Sequence, residues 1–157
     1  MSDSSTQDPE NTLFMDLEHG RVVISLRPDI APNHVARIKE LSRDGFYDGI
    51  VFHRVIDGFM AQGGDVQYGN TTSASFSPGQ AGMGGSKKPN LKQEFSKEPH
   101  VRGICSMARS QNPDSANSQF FICFDDASFL DRQYTVWGKV TDGMDIVDGI
   151  KRGEPVR

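Results

Sequence analysis

An arginine stands inside an apolar stretch of the sequence. Residues 52–64 read FHRVIDGFMAQGG, and Arg54 is the permanent cation of this aromatic and aliphatic run. Burying an unpaired charge is costly, so this side chain either faces solvent or serves a ligand. In an extended strand successive side chains alternate between two faces, so Phe52, Arg54 and Ile56 point one way and His53 points the other. Arg54 and His53 therefore cannot act in one site.

Two later stretches alternate in the same way. Met60 and Gln62 share one face of the segment MAQGG. In SQFFICF, one face carries Gln119, Phe121 and Cys123, and the opposite face carries Phe120, Ile122 and Phe124. Taken singly, the apolar residues fit a core, and Arg54 fits the surface of an edge strand. An outer face that combines Phe, Met, Gln and Arg, however, has the composition of a ligand groove, with apolar walls and a few placed polar groups.

The composition indicates an ordinary globular chain. Its 157 residues suit one domain, which we place at residues 11–157 after a disordered leader over residues 1–10. A net charge of −4 leaves no electrostatic footprint for nucleic acid, and the start MSDSSTQDPENT has neither the basic nor the apolar region of a signal peptide or membrane anchor. Cys105 and Cys123 lie in apolar runs, which favours reduced thiols over a disulfide. We therefore expect a cytoplasmic protein.

The hydrophobic periodicity predicts strands, two helices and one long loop. Residues 12–28 alternate on either side of His19-Gly20 and predict a hairpin. APNHVARIKELSRDG predicts a helix that begins near Pro32 and ends before Gly45, and GMDIVDGIKRG predicts a second helix. Five more strands are expected in GIVFHRVI, FMAQGG, GICSMARS, SQFFICF and YTVWGKV. Residues 65–97 are too long for an ordinary connection, so this loop is either functional or mobile.

The histidines and the glycine-rich segment predict neither a metal site nor a cofactor. His19, His34 and His100 fall in a turn, a helix and a loop without ligand spacing, so no metal is expected. His53 is expected to face the interior, where a backbone group satisfies it. The segment GQAGMGGSKK lacks the Gly-Lys-Ser/Thr ending of a phosphate-binding loop, and a mobile rim is the better interpretation.

The stretches FHRVIDGFMAQGGD and SANSQFFICF…FLD are similar to the two signature segments of one family. From about Asn11 to Arg152 the chain resembles the cyclophilin peptidyl-prolyl isomerases, specifically their bacterial cytoplasmic branch. The resemblance implies a mostly β fold, a closed eight-stranded antiparallel barrel capped by two α-helices, with an active groove on its outside. The chain stops at RGEPVR, whereas relatives continue into a last strand that pairs with the first. We therefore expect either a truncated chain or an edge that is closed differently.

The resemblance also implies an activity, the acceleration of rotation about X-Pro peptide bonds in unfolded or flexible chains, which assists folding. Resonance sets the barrier to this rotation at ~18–20 kcal/mol. Catalysis requires only that the twisted amide be bound better than either planar isomer. An arginine suits this task because its guanidinium stays charged and can donate to the prolyl nitrogen. The implied catalytic residues are Arg54, Gln62 and Phe121, with Gln62 holding a substrate carbonyl.

Further residues are implied to bind the substrate. The apolar socket for proline would consist of Phe59, Met60, Phe121 and Leu130, and the remaining substrate-binding residues would be Phe52, Ala108, Arg109, Ser110, Gln119, Phe129 and Tyr134. Arg109 would act through its main chain, as a strand does, and glycines 82–85 would flank the groove. The implied partners are proline-containing peptides and unfolded proteins, bound by a monomer without nucleic acid or membrane. Phe129 replaces the tryptophan of many eukaryotic members, so cyclosporin is expected to bind weakly.

Two other functions remain open from the sequence. A module that holds proline-containing segments in a chaperone-like way, with incidental catalysis, would keep the same groove. A carbohydrate-binding β-barrel would need aromatic pairs exposed on loops, but Trp137 lies in the middle of a predicted strand. Isomerisation of a proline peptide, compared with binding of the same peptide, separates the enzyme from the binding module.

Overall fold

The computed structural model describes residues 9–18, 20–72, 74–77 and 79–150. Within these ranges seven strands form one antiparallel sheet, accompanied by two α-helices. The strands are β1 (Thr12–Leu17), β2 (Gly20–Leu26), β3 (Phe52–Ile56), β4 (Met60–Gly63), β5 (Ile104–Met107), β6 (Phe120–Cys123) and β7 (Val136–Asp142). The helices are α1 (Pro32–Arg43) and α2 (Met144–Asp148). Every strand and helix predicted from the sequence is present.

The strands follow the order β1-β2-β7-β5-β6-β4-β3, so β1 and β3 are the outermost strands of the described sheet. The mostly β architecture with two helices is thereby confirmed. An eight-stranded closure is not shown, because the described residues contribute seven strands to the curled sheet. The expected absence of the last strand concerns residues 151–157, which lie outside the described residues.

The sheet is buried on both of its faces around β6. Phe120, Ile122 and Phe124 contribute to the main core, which also contains the fully buried Trp137. Phe121 and Cys123 point the other way, into a smaller apolar cluster with Met60, Ile104, Ala127, Leu130 and Val136. The alternation predicted for SQFFICF is therefore confirmed. One short strand separates the core from the surface on which the candidate site lies.

Helix α1 closes the main core from one side. Its apolar residues Val35, Ile38 and Leu41 are all buried. Pro32 begins the helix, where its missing N–H costs nothing. The carboxylate of Glu94 accepts the next two main-chain N–H groups, from Asn33 at 3.1 Å and from His34 at 2.8 Å. Glu94 belongs to the long loop over residues 65–97, so this cap ties the loop to the helix.

The described part of the chain begins with a short turn that contacts helix α1. Pro9–Asn11 form a 3₁₀ turn, and the Glu10 carboxylate pairs with Lys39 at 2.7 Å and with Arg43 at 3.0 Å. Residues 9 and 10, which the sequence placed in the leader, form part of this turn, and residues 1–8 of the predicted leader lie outside the described residues. No helix in the described ranges is long and apolar enough to span a membrane.

Candidate active site

The hairpin of β3 and β4 places Arg54 directly opposite Gln62. The pairing then slips, because Phe52 faces Gly63 and His53 is the extra residue of a β-bulge. The bulge turns Phe52 away from the face of Arg54 and towards the main core, where its ring meets Phe120 edge-on at 6.1 Å. The expectation that Phe52 shares a face with Arg54 is therefore wrong, and substrate binding by Phe52 stays a prediction.

A small hollow of about 150 Å³ opens on the outer face of the sheet beside Arg54. It is lined by Arg54, Phe59, Met60, Gln62, Ala108, Arg109, Phe121, Leu130 and Tyr134. Met60, Phe121 and Leu130 are buried and form an apolar floor, whereas the exposed guanidinium of Arg54 stands at the rim. The three predicted catalytic residues and the whole predicted socket thus lie in one place.

A chain of hydrogen bonds orients the polar side chains at this rim. Nη1 of Arg54 donates to Oε1 of Gln62 over a long 3.5 Å, and Nε2 of Gln62 donates to Oε1 of Gln119 at 3.1 Å. Nε2 of Gln119 in turn donates to the carbonyl oxygens of Gly82 and Gly84, each at 2.8 Å. An amide nitrogen carries two hydrogens, so Gln62 keeps a second donor for a bound molecule.

A second hollow of about 240 Å³ adjoins the first and shares Gln62, Ala108 and Arg109 with it. Its other lining residues are Gly82, Met83, Gly84, Ser110, Ser115, Asn117, Ser118 and Gln119. The predicted residues Ser110 and Gln119 therefore lie here rather than in the apolar hollow. Sequence reasoning missed Met83, Ser115, Asn117 and Ser118, although SANSQFFICF already contains the last three.

The buried carboxylate of Asp65 holds the rim of the second hollow. Its Oδ2 accepts the main-chain N–H groups of Gly82 at 2.8 Å and Gly84 at 2.9 Å, and its Oδ1 accepts those of Gln67 and Tyr68. Gly82 has φ +105°, and a Cβ there would approach the His53 ring to 3.0 Å. Both observations favour a glycine at this position.

The two remaining aromatic candidates occupy different places. Tyr134 lines the apolar hollow and meets the Phe121 ring edge-on, with 5.7 Å between centroids. Phe129 does not line it. Its ring is 65% exposed and packs against Phe59 at 5.5 Å, at the outer border of the hollow.

Behind the apolar floor lies a buried histidine that the sequence did not single out. The His100 ring stacks on Phe121 at 6.2 Å, its Nδ1 lies 3.1 Å from Asp131, and its Nε2 lies 3.0 Å from the Ser106 hydroxyl. Burial lowers the pKa of the His100 imidazole. The main-chain N–H of His100 donates to Asp131 and lowers the pKa of that carboxyl. A neutral imidazole and an ionised carboxylate thus face each other behind Phe121.

His53 departs from its expected environment. The side chain is buried as predicted, but within the described part of the chain neither ring nitrogen has a hydrogen-bond partner. The predicted contact with a backbone group is therefore wrong. Burial lowers the pKa of the imidazole, and nearby Arg54 adds to this shift while Asp65 opposes it.

A larger hollow, of about 490 Å³, lies along the inner face of β1 and is bordered by main-core side chains such as Phe120 and Trp137. It contains none of the residues that converge around Arg54, so its size does not make it the active site. Among the described residues, no group of three His, Cys, Asp or Glu side chains could hold a metal ion.

Comparison with known proteins identifies the family of this chain. The family model described as "Cyclophilin type peptidyl-prolyl cis-trans isomerase/CLD" matches residues 12–157. The chain belongs to the cyclophilin family. It is 61% identical over 150 residues to a "Probable peptidyl-prolyl cis-trans isomerase" of Brucella suis biovar 1 (strain 1330). The aligned region covers 96% of this chain and 76% of that protein.

A second cyclophilin relative is more distant. Peptidyl-prolyl cis-trans isomerase B of Escherichia coli (strain K12) is 39% identical over 151 residues, covering 85% of this chain and 79% of the relative. These bacterial relatives and the family model agree with the resemblance found in the sequence. This cyclophilin is a peptidyl-prolyl cis-trans isomerase.

Solved cyclophilin structures share the fold. The crystal structure of AquaCyp293 from Hirschia baltica superposes with a TM-score of 0.81 at 29% identity, covering 100% of this chain and 77% of the other. A Cryptosporidium parvum cyclophilin crystallised in the presence of the dipeptide Ala-Pro superposes with a TM-score of 0.76 at 28% identity, covering 88% of this chain and 84% of the other.

The chemistry of a cyclophilin fits the composition of the apolar hollow. Rotation about a peptide bond breaks no bond, so it needs no nucleophile and no acid–base pair. The hollow accordingly offers two guanidinium groups, one amide and apolar surface, and neither a carboxylate nor a histidine is among its lining residues in the described part of the chain.

Proposed function

We propose that this cyclophilin binds proline-containing segments of unfolded or flexible chains in the hollow beside Arg54, and that Arg54, Gln62 and Phe121 carry the isomerisation. The observation behind the proposal is that a guanidinium and an apolar floor share one small hollow. The floor takes the proline ring, since burying it there removes apolar surface from water. Arg54 then lies at the edge of the ring, where the prolyl nitrogen is found.

Arg54 lowers the barrier by favouring the twisted amide. As the X-Pro bond rotates, its nitrogen leaves conjugation and its lone pair becomes an acceptor for a guanidinium N–H. One charge-assisted hydrogen bond contributes ~1.5–3 kcal/mol net, which corresponds to roughly 10- to 150-fold in rate. The apolar floor, water exclusion and positioning supply the rest of the acceleration.

Gln62 and the segment after β5 hold the substrate on either side of that bond. The free amide hydrogen of Gln62 is placed to donate to a substrate carbonyl, because Gln119 fixes the orientation of the amide. No hydrogen bond within the described residues engages the main-chain N–H or C=O of Arg109. Those two groups can therefore pair with an extended peptide, as an added strand does. Ala108 and Ser110 flank this position, and the second hollow receives the residues preceding proline.

Two further points extend the proposal. The expected compartment is the cytoplasm, which the free and buried thiols of Cys105 and Cys123 support. Recovery of the protein with cytoplasmic markers after cell fractionation tests it.

Cyclosporin binds weakly, since Phe129 offers a ring without an indole N–H at the border of the hollow.

Titration of the labelled protein with a short Ala-Pro peptide tests where substrate binds. The expected result is that NMR signals of Met60, Phe121 and Leu130 shift, and that separate signals of the two peptide isomers exchange faster in the presence of the protein. The same peptide with alanine in place of proline serves as the control and leaves the three side chains unmoved. Shifts confined to the inner hollow along β1 contradict the proposal.

A further inference from the structure

Arg109 carries an arrangement that the main-chain role proposed above does not use. Arg109 lies just after β5, and its guanidinium reaches the segment that precedes β7. There Nε and Nη2 both donate to the carbonyl oxygen of Gln133, at 3.1 and 2.6 Å. Nη1 donates to the carbonyl oxygens of Ser110 at 2.9 Å and Gln111 at 3.3 Å. The side chain therefore ties two segments of the chain together.

The same guanidinium covers one wall of the apolar hollow. Its Cζ lies 4.6 Å from the centroid of the Tyr134 ring and 5.9 Å from that of Phe95. Within the described residues no carboxylate pairs with Arg109, so an ion pair does not account for its position. A planar cation above an aromatic face is attracted to the ring electrons. The Tyr134 and Phe121 rings pack perpendicular to each other, so the guanidinium contacts a ring that itself contacts the floor of the hollow.

The segment that carries Tyr134 needs such support. Arg132 has φ +63°, the one non-glycine residue in the left-handed region among the described residues. That conformation costs a residue with a side chain about 1–2 kcal/mol, and it persists only where neighbouring contacts fix it. Gln133 follows directly, and its carbonyl group is the one that receives two hydrogen bonds from Arg109.

We propose that Arg109 is a positioning residue for isomerisation, whose guanidinium holds the Tyr134 ring in place as a wall of the proline-binding hollow. The inference rests on the proposed function of that hollow and adds a side-chain role to the main-chain role of the same residue. Lysine cannot replace arginine here, because a single ammonium group offers neither a planar face for stacking nor a fork of donors for three carbonyl groups.

Arg109→Lys and Arg109→Gln test the proposal by kinetics. We expect kcat/KM for a proline peptide to fall about tenfold in both variants, mainly through a higher KM, because a displaced wall weakens the binding of the ring. Arg21→Lys is the matched control, since Arg21 also lies 4.6 Å above an aromatic ring, that of Phe14, but on β2 away from the hollow. The control keeps the wild-type KM. If both Arg109 variants keep kcat/KM within about twofold of wild type, the proposal is overturned.

A spectroscopic measurement separates this proposal from the proposed function. In the wild-type protein, NOEs between the Tyr134 and Phe121 rings and an upfield-shifted Arg109 Nε–H are expected, and Arg109→Lys is expected to lose the ring-to-ring NOEs while the remaining spectrum stays folded. Retention of these NOEs in Arg109→Lys overturns the positioning role. The NOE measurement needs no turnover, so a wild-type protein without isomerase activity would refute the proposed function alone. If neither variant folds, the wild-type spectrum tests the proposal. An upfield-shifted Arg109 Nε–H signal supports it, and a signal at the chemical shift of an unstacked arginine overturns it.

Discussion

Arg54 and Gln62 face each other across β3 and β4, with the guanidinium donating to the amide oxygen. The pairing leaves the amide nitrogen of Gln62 directed towards Gln119 and the glycine-rich rim. Arg54 and the glycine-rich rim are thus connected through the side-chain amides of Gln62 and Gln119.

Arg54→Ala removes the guanidinium charge while leaving the apolar floor in place. We expect the isomerisation rate to fall roughly 10- to 150-fold, the equivalent of one charge-assisted hydrogen bond, while peptide binding stays measurable. NMR exchange spectroscopy on a proline peptide gives the rate, and a titration gives the affinity. Arg43→Ala, on α1 and away from the hollow, is the control. Equal rates for wild type and Arg54→Ala would refute the role of Arg54.

Asp65→Asn disrupts the rim of the second hollow. The amide would retain one oxygen and present two hydrogens to main-chain N–H groups, so two of the four hydrogen bonds to Asp65 are lost inside the protein. We expect the free energy of unfolding to fall by about 2–4 kcal/mol, measured by urea denaturation. Asp16→Asn, on the exposed face of β1, should leave the denaturation midpoint unchanged. A midpoint shift of the same size in both variants would contradict this assignment.

The buried histidines predict a loss of stability in mild acid. Burial lowers the pKa of His53 below its usual 6.5, and the pKa values of His34 and His100 move in the same direction for the same reason. Between the lowered values and about pH 6.5 the unfolded chain binds more protons than the native one, so the free energy of unfolding decreases as the pH falls through this window. Urea denaturation at a series of pH values measures the slope.

His53→Leu isolates one contribution to that slope. Because the ring nitrogens of His53 have no hydrogen-bond partner within the described residues, an apolar side chain of similar size costs little above pH 7. We expect near wild-type stability there and a shallower loss of stability on acidification. Identical slopes for the two proteins would show that His53 does not contribute.

Phe129→Trp tests the expected weakness of cyclosporin inhibition. An indole N–H at the border of the hollow adds one neutral hydrogen-bond donor, so we expect inhibition to strengthen roughly two- to tenfold. A protease-coupled isomerisation assay measures the inhibition constants. Phe14→Trp, at a similarly exposed phenylalanine on β1, is the control. Nanomolar inhibition of the unmodified protein would contradict the expectation from which this experiment starts.

Period-two reasoning predicted the site well where strands are regular. The face that joins Gln119 and Phe121 followed from alternation in SQFFICF, and the shared face of Met60 and Gln62 followed from alternation in MAQGG. Phe52 was misplaced because the bulge at His53 adds one residue to β3, and an insertion of this kind leaves no mark in the hydrophobic pattern.

The contacts made by long loops could not be predicted. Asp65 and Gly82 are seventeen positions apart in a segment without periodicity, so only the fold brings the carboxylate to its N–H partners. The stacking of Arg109 on Tyr134 likewise joins segments that the sequence does not relate. Side-chain roles of this kind depend on geometry that local sequence does not encode.

Adjacent residues of strand β6 point to opposite faces of the sheet. Phe120 fills the interior, and Phe121, its immediate neighbour, lies in the floor of the hollow that we propose receives proline. Inserting or deleting a single residue within this strand would exchange the two faces and disrupt the interior packing and the outer hollow together. We therefore expect the loops at either end of β6 to accept inserted residues. The strand itself should accept substitutions but no change in its number of residues.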